Sequence, residues 1–177
     1  MNHFRSSVVA MLFATGLVFA ARAQTPELTE TFAGDGWTIS HPAGWIVNVQ
    51  ALPALATDEA ALATMQRNAP LPDGGITIGI IPPGLYGALG VTPTASAAET
   101  MDLVAAVFGG EGTVEPFEGT PYVAFARDLV GTTRVPPMTK LITAEVDGEV
   151  VTFLVVAEDF AAVTPLIQAI VGSFTTP

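Results

Sequence analysis

The sequence has no cysteine among its 177 residues. Disulfide bonds, thiolate nucleophiles, zinc–cysteine centres and lipid-modified cysteine anchors are therefore excluded. Basic residues are also scarce, because six lysines and arginines stand against 17 aspartates and glutamates. Nucleic acids are bound through a basic surface that neutralises their phosphates, so the composition argues strongly against a nucleic-acid partner.

Charge of either sign is sparse, at 13% of the residues against an ordinary share of about 25%. Half of the residues are hydrophobic, which is the opposite of the balance found in disordered chains. The length suits one domain, since domains usually have about 100–200 residues. We expect a single folded domain with an acidic surface.

Residues 1–23 have the pattern of a secretory signal peptide. Arg5 supplies positive charge, residues 8–21 form an apolar run, and Ala21-Arg22-Ala23 fits the cleavage rule. The run is shorter than the roughly 20 residues of a membrane-spanning helix, although an uncleaved anchor is the alternative. We expect an exported protein, periplasmic or secreted, without stable membrane insertion after cleavage. Its mature chain would begin at Gln24, with four basic and 17 acidic residues and a net charge of −13.

The hydrophobic periodicity of the remaining chain predicts an α+β fold, with helices packed on an antiparallel sheet. Residues 24–33 are expected to be a flexible lead-in, and residues 34–177 one domain. The predicted strands cover residues 36–41, 45–52, 55–57, 76–81, 113–117, 121–130, 138–146 and 149–157. The predicted helices cover residues 58–66, 96–108 and 165–172.

Local signals place the ends of several elements. Asp147-Gly148 predicts a two-residue hairpin turn, which makes the flanking strands antiparallel. Ser96 and Glu99 have the spacing of a capping box at the start of a helix. Thr164 before Pro165 predicts the cap and the first position of the last helix.

The segment Trp37-Thr38-Ile39-Ser40-His41-Pro42-Ala43-Gly44-Trp45-Ile46-Val47 resembles the opening of PsbP-like domains. The shared pattern is an aromatic residue, an alternating strand, proline, two residues and tryptophan. The order of the later elements agrees as well, so the resemblance covers roughly residues 32–175. It implies an α/β/α sandwich around an antiparallel sheet. It also implies a binding role, since the family has no shared set of catalytic residues and most of its members bind proteins or small ligands.

Residues suited to catalysis are few. His41 is the only imidazole of the mature chain, and nothing near it in sequence completes a triad or a metal set. The three mature serines, Ser40, Ser96 and Ser173, do not lie in a Gly-x-Ser-x-Gly motif. We therefore expect no catalytic, cofactor-binding or metal-binding residues, with a hydrolase as a remote alternative.

Acidic residues alternate around the predicted hairpin turn, at Glu145, Asp147 and Glu149. We interpret them as a solvated tip that discourages pairing of strand edges. Cation binding by the three carboxylates remains the alternative, although calcium takes about six to eight oxygen ligands.

Residues 82–91 form an apolar, glycine-rich segment that we expect to be an irregular loop. Leu85, Tyr86 and Leu89 are the candidate contacts to a partner or ligand. If the loop is exposed, replacing Leu85 and Tyr86 by serine should leave the melting temperature nearly unchanged while abolishing capture of a partner. The alternative is a loop that folds back onto the sheet.

The sequence thus predicts an exported, non-enzymatic binding domain with an accessory or protein-interaction role. Its acidity favours basic or neutral partners. A carrier of a small apolar ligand or lipid is the alternative. A dry cavity of roughly several hundred cubic ångströms beside residues 101–108 would support this alternative.

Overall fold

The structure is a computed structural model and describes residues 27–49, 54–58, 75–108, 110, 112–129 and 139–177. The strands in this part of the chain are β1 Glu30–Gly34, β2 Trp37–His41, β3 Trp45–Asn48, β4 Ala54–Asp58, β5 Ile76–Ile81, β6 Glu115–Pro116, β7 Val123–Leu129, β8 Thr139–Val146 and β9 Glu149–Ala157. A 3₁₀ helix spans Pro83–Leu89, and the α-helices are α1 Ala97–Phe108 and α2 Phe160–Gly172.

Seven of the strands form one antiparallel sheet in the order β3-β4-β5-β9-β8-β7-β6. The β8–β9 hairpin turns at Asp147 and Gly148, whose φ angles of 51° and 86° fit a type I′ turn. Strands β1 and β2 form a separate antiparallel pair. The predicted α+β class and the predicted Asp-Gly hairpin are therefore confirmed.

The large sheet has a hydrophobic cluster on each face. Ile78 and Ile80 of β5 pack in the cluster that α2 and the β1–β2 hairpin cover. Ile81 belongs to the cluster on the other face, where α1 and the 3₁₀ helix lie. Helices thus cover both faces of the sheet, as the α/β/α sandwich requires.

The lead-in predicted over residues 24–33 is partly wrong, because Glu30–Gly34 is strand β1. It pairs with β2 from Glu30 opposite His41 to Gly34 opposite Trp37. The local sequence of β1 holds only one large apolar residue, Phe32, so its periodicity was weak. Cross-strand pairing and the contact between the Phe32 and Trp37 rings stabilise the strand instead.

The predicted start of the last helix is wrong. Helix α2 begins at Phe160, and the Asp159 carboxylate accepts a hydrogen bond of 3.1 Å from the Ala162 N–H. Pro165 therefore lies inside the helix, and Thr164 donates from its hydroxyl to the Phe160 carbonyl at 2.6 Å. Aspartate is a strong N-cap, and it sets the helix start five residues earlier than the proline rule suggested.

The cap of α1 differs from the predicted capping box. The Ser96 hydroxyl accepts from the Glu99 N–H at 3.4 Å, but the Ser96 N–H donates to the Thr94 hydroxyl at 3.2 Å rather than to Glu99. The Ala97 N–H donates to the Glu145 carboxylate of β8 at 2.9 Å. A residue 48 positions away in the chain thus caps the helix.

Replacing Glu145 by alanine is expected to lower the free energy of unfolding by about 1 kcal/mol, because the first turn of α1 loses an anionic acceptor. Urea unfolding measures the effect. Glu158→Ala is the matched control, since Glu158 is exposed on the loop before α2. Equal losses in the two variants would contradict the capping role.

Several predictions lie outside the described residues. The signal peptide of residues 1–23 is one, and the helix over residues 58–66 is another, except that Asp58 ends β4. The strand expected over residues 45–52 is seen from Trp45 to Asn48.

Segment 83–89 was expected to be irregular and is a 3₁₀ helix. Neither helix of eight or more residues in the described ranges has the length and hydropathy needed to cross a membrane.

Candidate binding groove

A groove of about 890 Å³ lies between the tips of two hairpins and the start of the 3₁₀ helix. We call it the hairpin groove, and its volume falls in the range of ligand sites, about 300–1,000 Å³. Its larger apolar side chains are Phe32, Trp37, Val49, Pro82, Pro83 and Leu85, and its charged side chains are Asp35, Asp147 and Glu149. Ala33, Gly34, Gly36, Gly84, Thr176 and Pro177 complete the lining.

A chain of aromatic contacts fixes the β1–β2 hairpin beside the sheet. The Phe32 and Trp37 ring centroids are 5.5 Å apart, and Trp37 stacks on Phe174 at 5.6 Å. Phe174 in turn meets Phe153 of the central strand β9 edge to face at 5.7 Å. Thr38 and Thr175 exchange backbone hydrogen bonds of 2.9 and 3.1 Å. One wall of the groove is therefore anchored to the core.

Two prolines position the opposite wall. Pro82 follows β5 directly, and Pro83 is the first residue of the 3₁₀ helix. Proline has no N–H to continue a sheet ladder, so the chain leaves the sheet at this point. The Leu85 N–H then donates to the Pro82 carbonyl at 3.0 Å and closes the first turn. This turn brings the half-buried Leu85 to the groove.

Of the three candidate contact residues, only Leu85 lines the groove. Tyr86 is 1% exposed, and its hydroxyl bonds to the Thr152 hydroxyl at 2.8 Å. Burial raises the pKa of Tyr86 well above its ordinary value, with a smaller opposing effect of the Thr152 hydrogen bond. Leu89 is half-buried against the same cluster as Tyr86. Tyr86 is thus a core residue and is not available to a partner.

The charged side chains of the groove are all acidic. Asp35, Asp147 and Glu149 are exposed, and none makes an ion pair with another residue in the described ranges. The groove therefore has a negative rim.

The charge of Asp147 also acts on Tyr122. Burial is the main cause that raises the pKa of Tyr122, and the negative charge of Asp147 raises it further. The Tyr122 hydroxyl donates to the Phe174 carbonyl at 2.6 Å.

The acidic residues around the β8–β9 turn do not act together. Glu145 caps α1, whereas Asp147 and Glu149 lie on the hairpin groove. Among the residues that the structure describes, no group of three or more histidine or carboxylate side chains is arranged to hold a metal ion.

A second groove, of about 530 Å³, lies between β6, β7 and α2. Its cations already have partners, because Arg127 Nη1 lies 3.0 Å from the Asp102 carboxylate and Lys140 Nζ lies 2.5 Å from that of Asp128. The Gln168 amide donates to the Glu118 carbonyl at 2.9 Å. The polar groups of this groove are largely engaged within the protein.

His41 lines neither groove. Its side chain is buried, with Nδ1 3.0 Å from the Pro42 carbonyl and 3.7 Å from the Glu30 carboxylate. The Ser173 hydroxyl donates to the Ile170 carbonyl at 2.7 Å and accepts from the Ser40 N–H at 2.9 Å. These contacts fasten the β1–β2 hairpin to the end of α2.

The sequence analysis named Leu85 as a candidate contact and Asp147 and Glu149 as an acidic hairpin tip, but it did not place them together or with the other residues of the groove. One signal was available, because Asp35-Gly36 has the same turn chemistry as Asp147-Gly148. Recognising the first turn would have placed a second acidic tip beside Trp37. No local pattern shows that the two tips and the prolines meet.

No family model and no curated protein matches the sequence. Among solved structures, the chain is similar to the solution structure of cyanobacterial PsbP (CyanoP) from Synechocystis sp. PCC 6803, with 21% identity and a TM-score of 0.40. The match covers 84% of this chain and 92% of that one. PsbP-like domains are the class that the segment from Trp37 to Val47 resembles.

Proposed function

We propose that the protein is an exported, non-enzymatic binding domain that engages a protein partner through the hairpin groove. The observation that carries the proposal is the groove itself, where Leu85 and two prolines face an anchored aromatic hairpin. Apolar surface at the centre with polar groups at the rim is the usual anatomy of a protein interface.

The alternative of a small-ligand carrier has less support. A cavity beside residues 101–108 would support it, but neither groove is lined by any residue of α1. Met101 and Val104 of that helix are fully buried in the core cluster. The hairpin groove is instead open to solvent, a shape that suits a segment of another chain.

The absence of catalysis remains part of the proposal. The buried His41 and the hydrogen bonds of Ser40 and Ser173 give these residues a structural explanation. Export rests on the leader pattern of residues 1–23 and predicts a mature chain that begins at Gln24. Mass spectrometry of the protein from its own host measures that start directly.

Selection from a random peptide library displayed on phage tests the groove. Peptides that bind the wild-type protein are expected to lose about tenfold in affinity or more on Leu85→Ser, since a buried leucine contributes roughly 1.5–3 kcal/mol. Leu103→Ser is the matched control, because Leu103 is 42% exposed on α1 and lies outside the groove. It is expected to bind the peptides as the wild type does.

Melting temperatures of both variants accompany the selection, because Leu85 also packs partly on the core. Failure to enrich any peptide, or equal losses of affinity in the two folded variants, would overturn the proposal. Native mass spectrometry of the protein from its host tests the alternative of a small-ligand carrier. A bound compound of a few hundred daltons that Leu85→Ser releases would establish the carrier function instead.

A further inference from the structure

The charges of the hairpin groove restrict its partner further. Asp35 lies at the tip of one hairpin, and Asp147 and Glu149 lie at the tip of the other. These tips are far apart in the chain, yet all three side chains line the same groove. Their carboxylates therefore surround one apolar surface from two sides.

These negative charges are not neutralised within the described part of the protein. This part contains one arginine and one lysine, Arg127 and Lys140, and both lie in the second groove. They pair with Asp102 and Asp128, which are not residues of the hairpin groove. A bound segment with positive charge would supply the missing counter-charges. An acidic peptide, a phosphorylated peptide or an anionic membrane would be repelled.

The apolar wall adds a second requirement. Pro83 and Leu85 are half-buried and Val49 is 52% exposed, so each leaves apolar area for a ligand. Lysine and arginine lay their aliphatic stems along apolar surface while the charged ends remain in water or reach an acceptor. A basic side chain would thus pair with the carboxylates of the rim, while a neighbouring apolar side chain packs on the apolar wall.

We infer that the hairpin groove binds a peptide segment in which lysine or arginine flanks an aromatic or branched apolar residue. The inference rests on the proposed function, since it names the chemical class of the protein partner. The expected ligand of the groove is therefore a cationic, amphipathic segment of another chain.

Three synthetic peptides test this inference by fluorescence anisotropy. Their central residues are Lys-Leu-Lys, Glu-Leu-Glu and Lys-Ser-Lys, each in a glycine–serine frame with a fluorescein label. The first is expected to bind at least about tenfold more tightly than either of the others. Its affinity should fall as salt rises from about 0.05 to 0.3 M, because exposed charges are screened over about 10 Å at 0.1 M.

Charge-neutralising variants locate the effect. The groove variant carries Asp35→Asn, Asp147→Asn and Glu149→Gln, and asparagine suits the positive φ of residue 147 before Gly148. Its control carries Glu27→Gln, Glu99→Gln and Glu158→Gln, which remove the same charge from exposed sites outside the groove. The Lys-Leu-Lys peptide is expected to lose about fivefold or more in affinity on the groove variant and less than about twofold on the control.

The possible failures are distinguishable. Equal losses on the two triple variants, or equal binding of the Glu-Leu-Glu peptide, would overturn the inference about charge. If peptides from the library still depend on Leu85, the proposed function stands without it. If no library peptide depends on Leu85, the groove does not bind protein segments and both proposals fail.

Discussion

Replacing Tyr86 by serine is expected to lower the free energy of unfolding by about 3–5 kcal/mol, the usual cost of truncating a buried aromatic residue. Tyr86 is among the largest fully buried side chains and packs with Ile81, Met101 and Leu141. The substitution leaves a cavity between the 3₁₀ helix and the sheet. It also removes the hydrogen bond to Thr152.

Urea unfolding with a graded series tests this expectation. Tyr86→Phe loses only the hydroxyl and should cost about 1–2 kcal/mol, because Thr152 retains a contact with Thr143 at 3.4 Å. Leu85→Ser should cost less than Tyr86→Ser, since Leu85 is only half-buried. A Tyr86→Ser protein that unfolds like the wild type would show that the side chain does not belong to the core.

The structure therefore separates two neighbouring residues that the sequence analysis had treated alike. Serine at Leu85 and Tyr86 was expected to leave the melting temperature nearly unchanged. Of the two substitutions, Leu85→Ser is now the one expected to change the melting temperature least. Adjacent residues of a 3₁₀ helix point about 120° apart, so one faces the groove while the next faces the sheet.

Replacing Phe174 by alanine has the second large expected effect, about 3–5 kcal/mol of unfolding free energy. Phe174 is fully buried between Trp37 of the β1–β2 hairpin and Phe153 of the sheet. Its loss removes the ring contacts that join the hairpin to the core. The amides of β1 and β2 should then exchange with solvent faster than those of β8 and β9.

Hydrogen exchange measured by mass spectrometry resolves the two regions. Phe174→Leu is the matched control, because leucine fills much of the volume without the stacked ring, and a smaller loss is expected. Uniform acceleration across the whole sheet would contradict the anchoring role. Unchanged exchange in β1 and β2 despite lower stability would contradict it as well.

The elements predicted correctly are those with strong local signals. The alternation of Trp37, Ile39 and His41 in β2 indicated a strand with one buried side, and all three are buried. The Asp147-Gly148 turn and the apolar face of α1, with Met101 and Val104, were equally local. Such patterns follow from backbone geometry and side-chain period, which neighbouring residues suffice to define.

The wrong predictions arose where two local rules competed or where the partner was distant. At α2, the proline rule placed the cap at Thr164, whereas the helix is capped by Asp159 and packs against β2 and β9. Strand β1 has a weak pattern and exists through its pairing with β2. Tyr86 is buried in a cluster with residues far away in the sequence, such as Leu141, and its hydroxyl bonds to that of Thr152, 66 residues away.

The sequence by itself determined the α+β class, the acidic charge and the main hairpin, and it named Leu85 as a candidate contact. Tertiary structure alone decided that the acidic tips at Asp35 and Asp147 lie on the same groove as Leu85. The physical reason is that turns, caps and periodicity depend on residues a few positions apart. A groove depends on how separate elements pack, and that is set by the burial of apolar surface across the whole sheet.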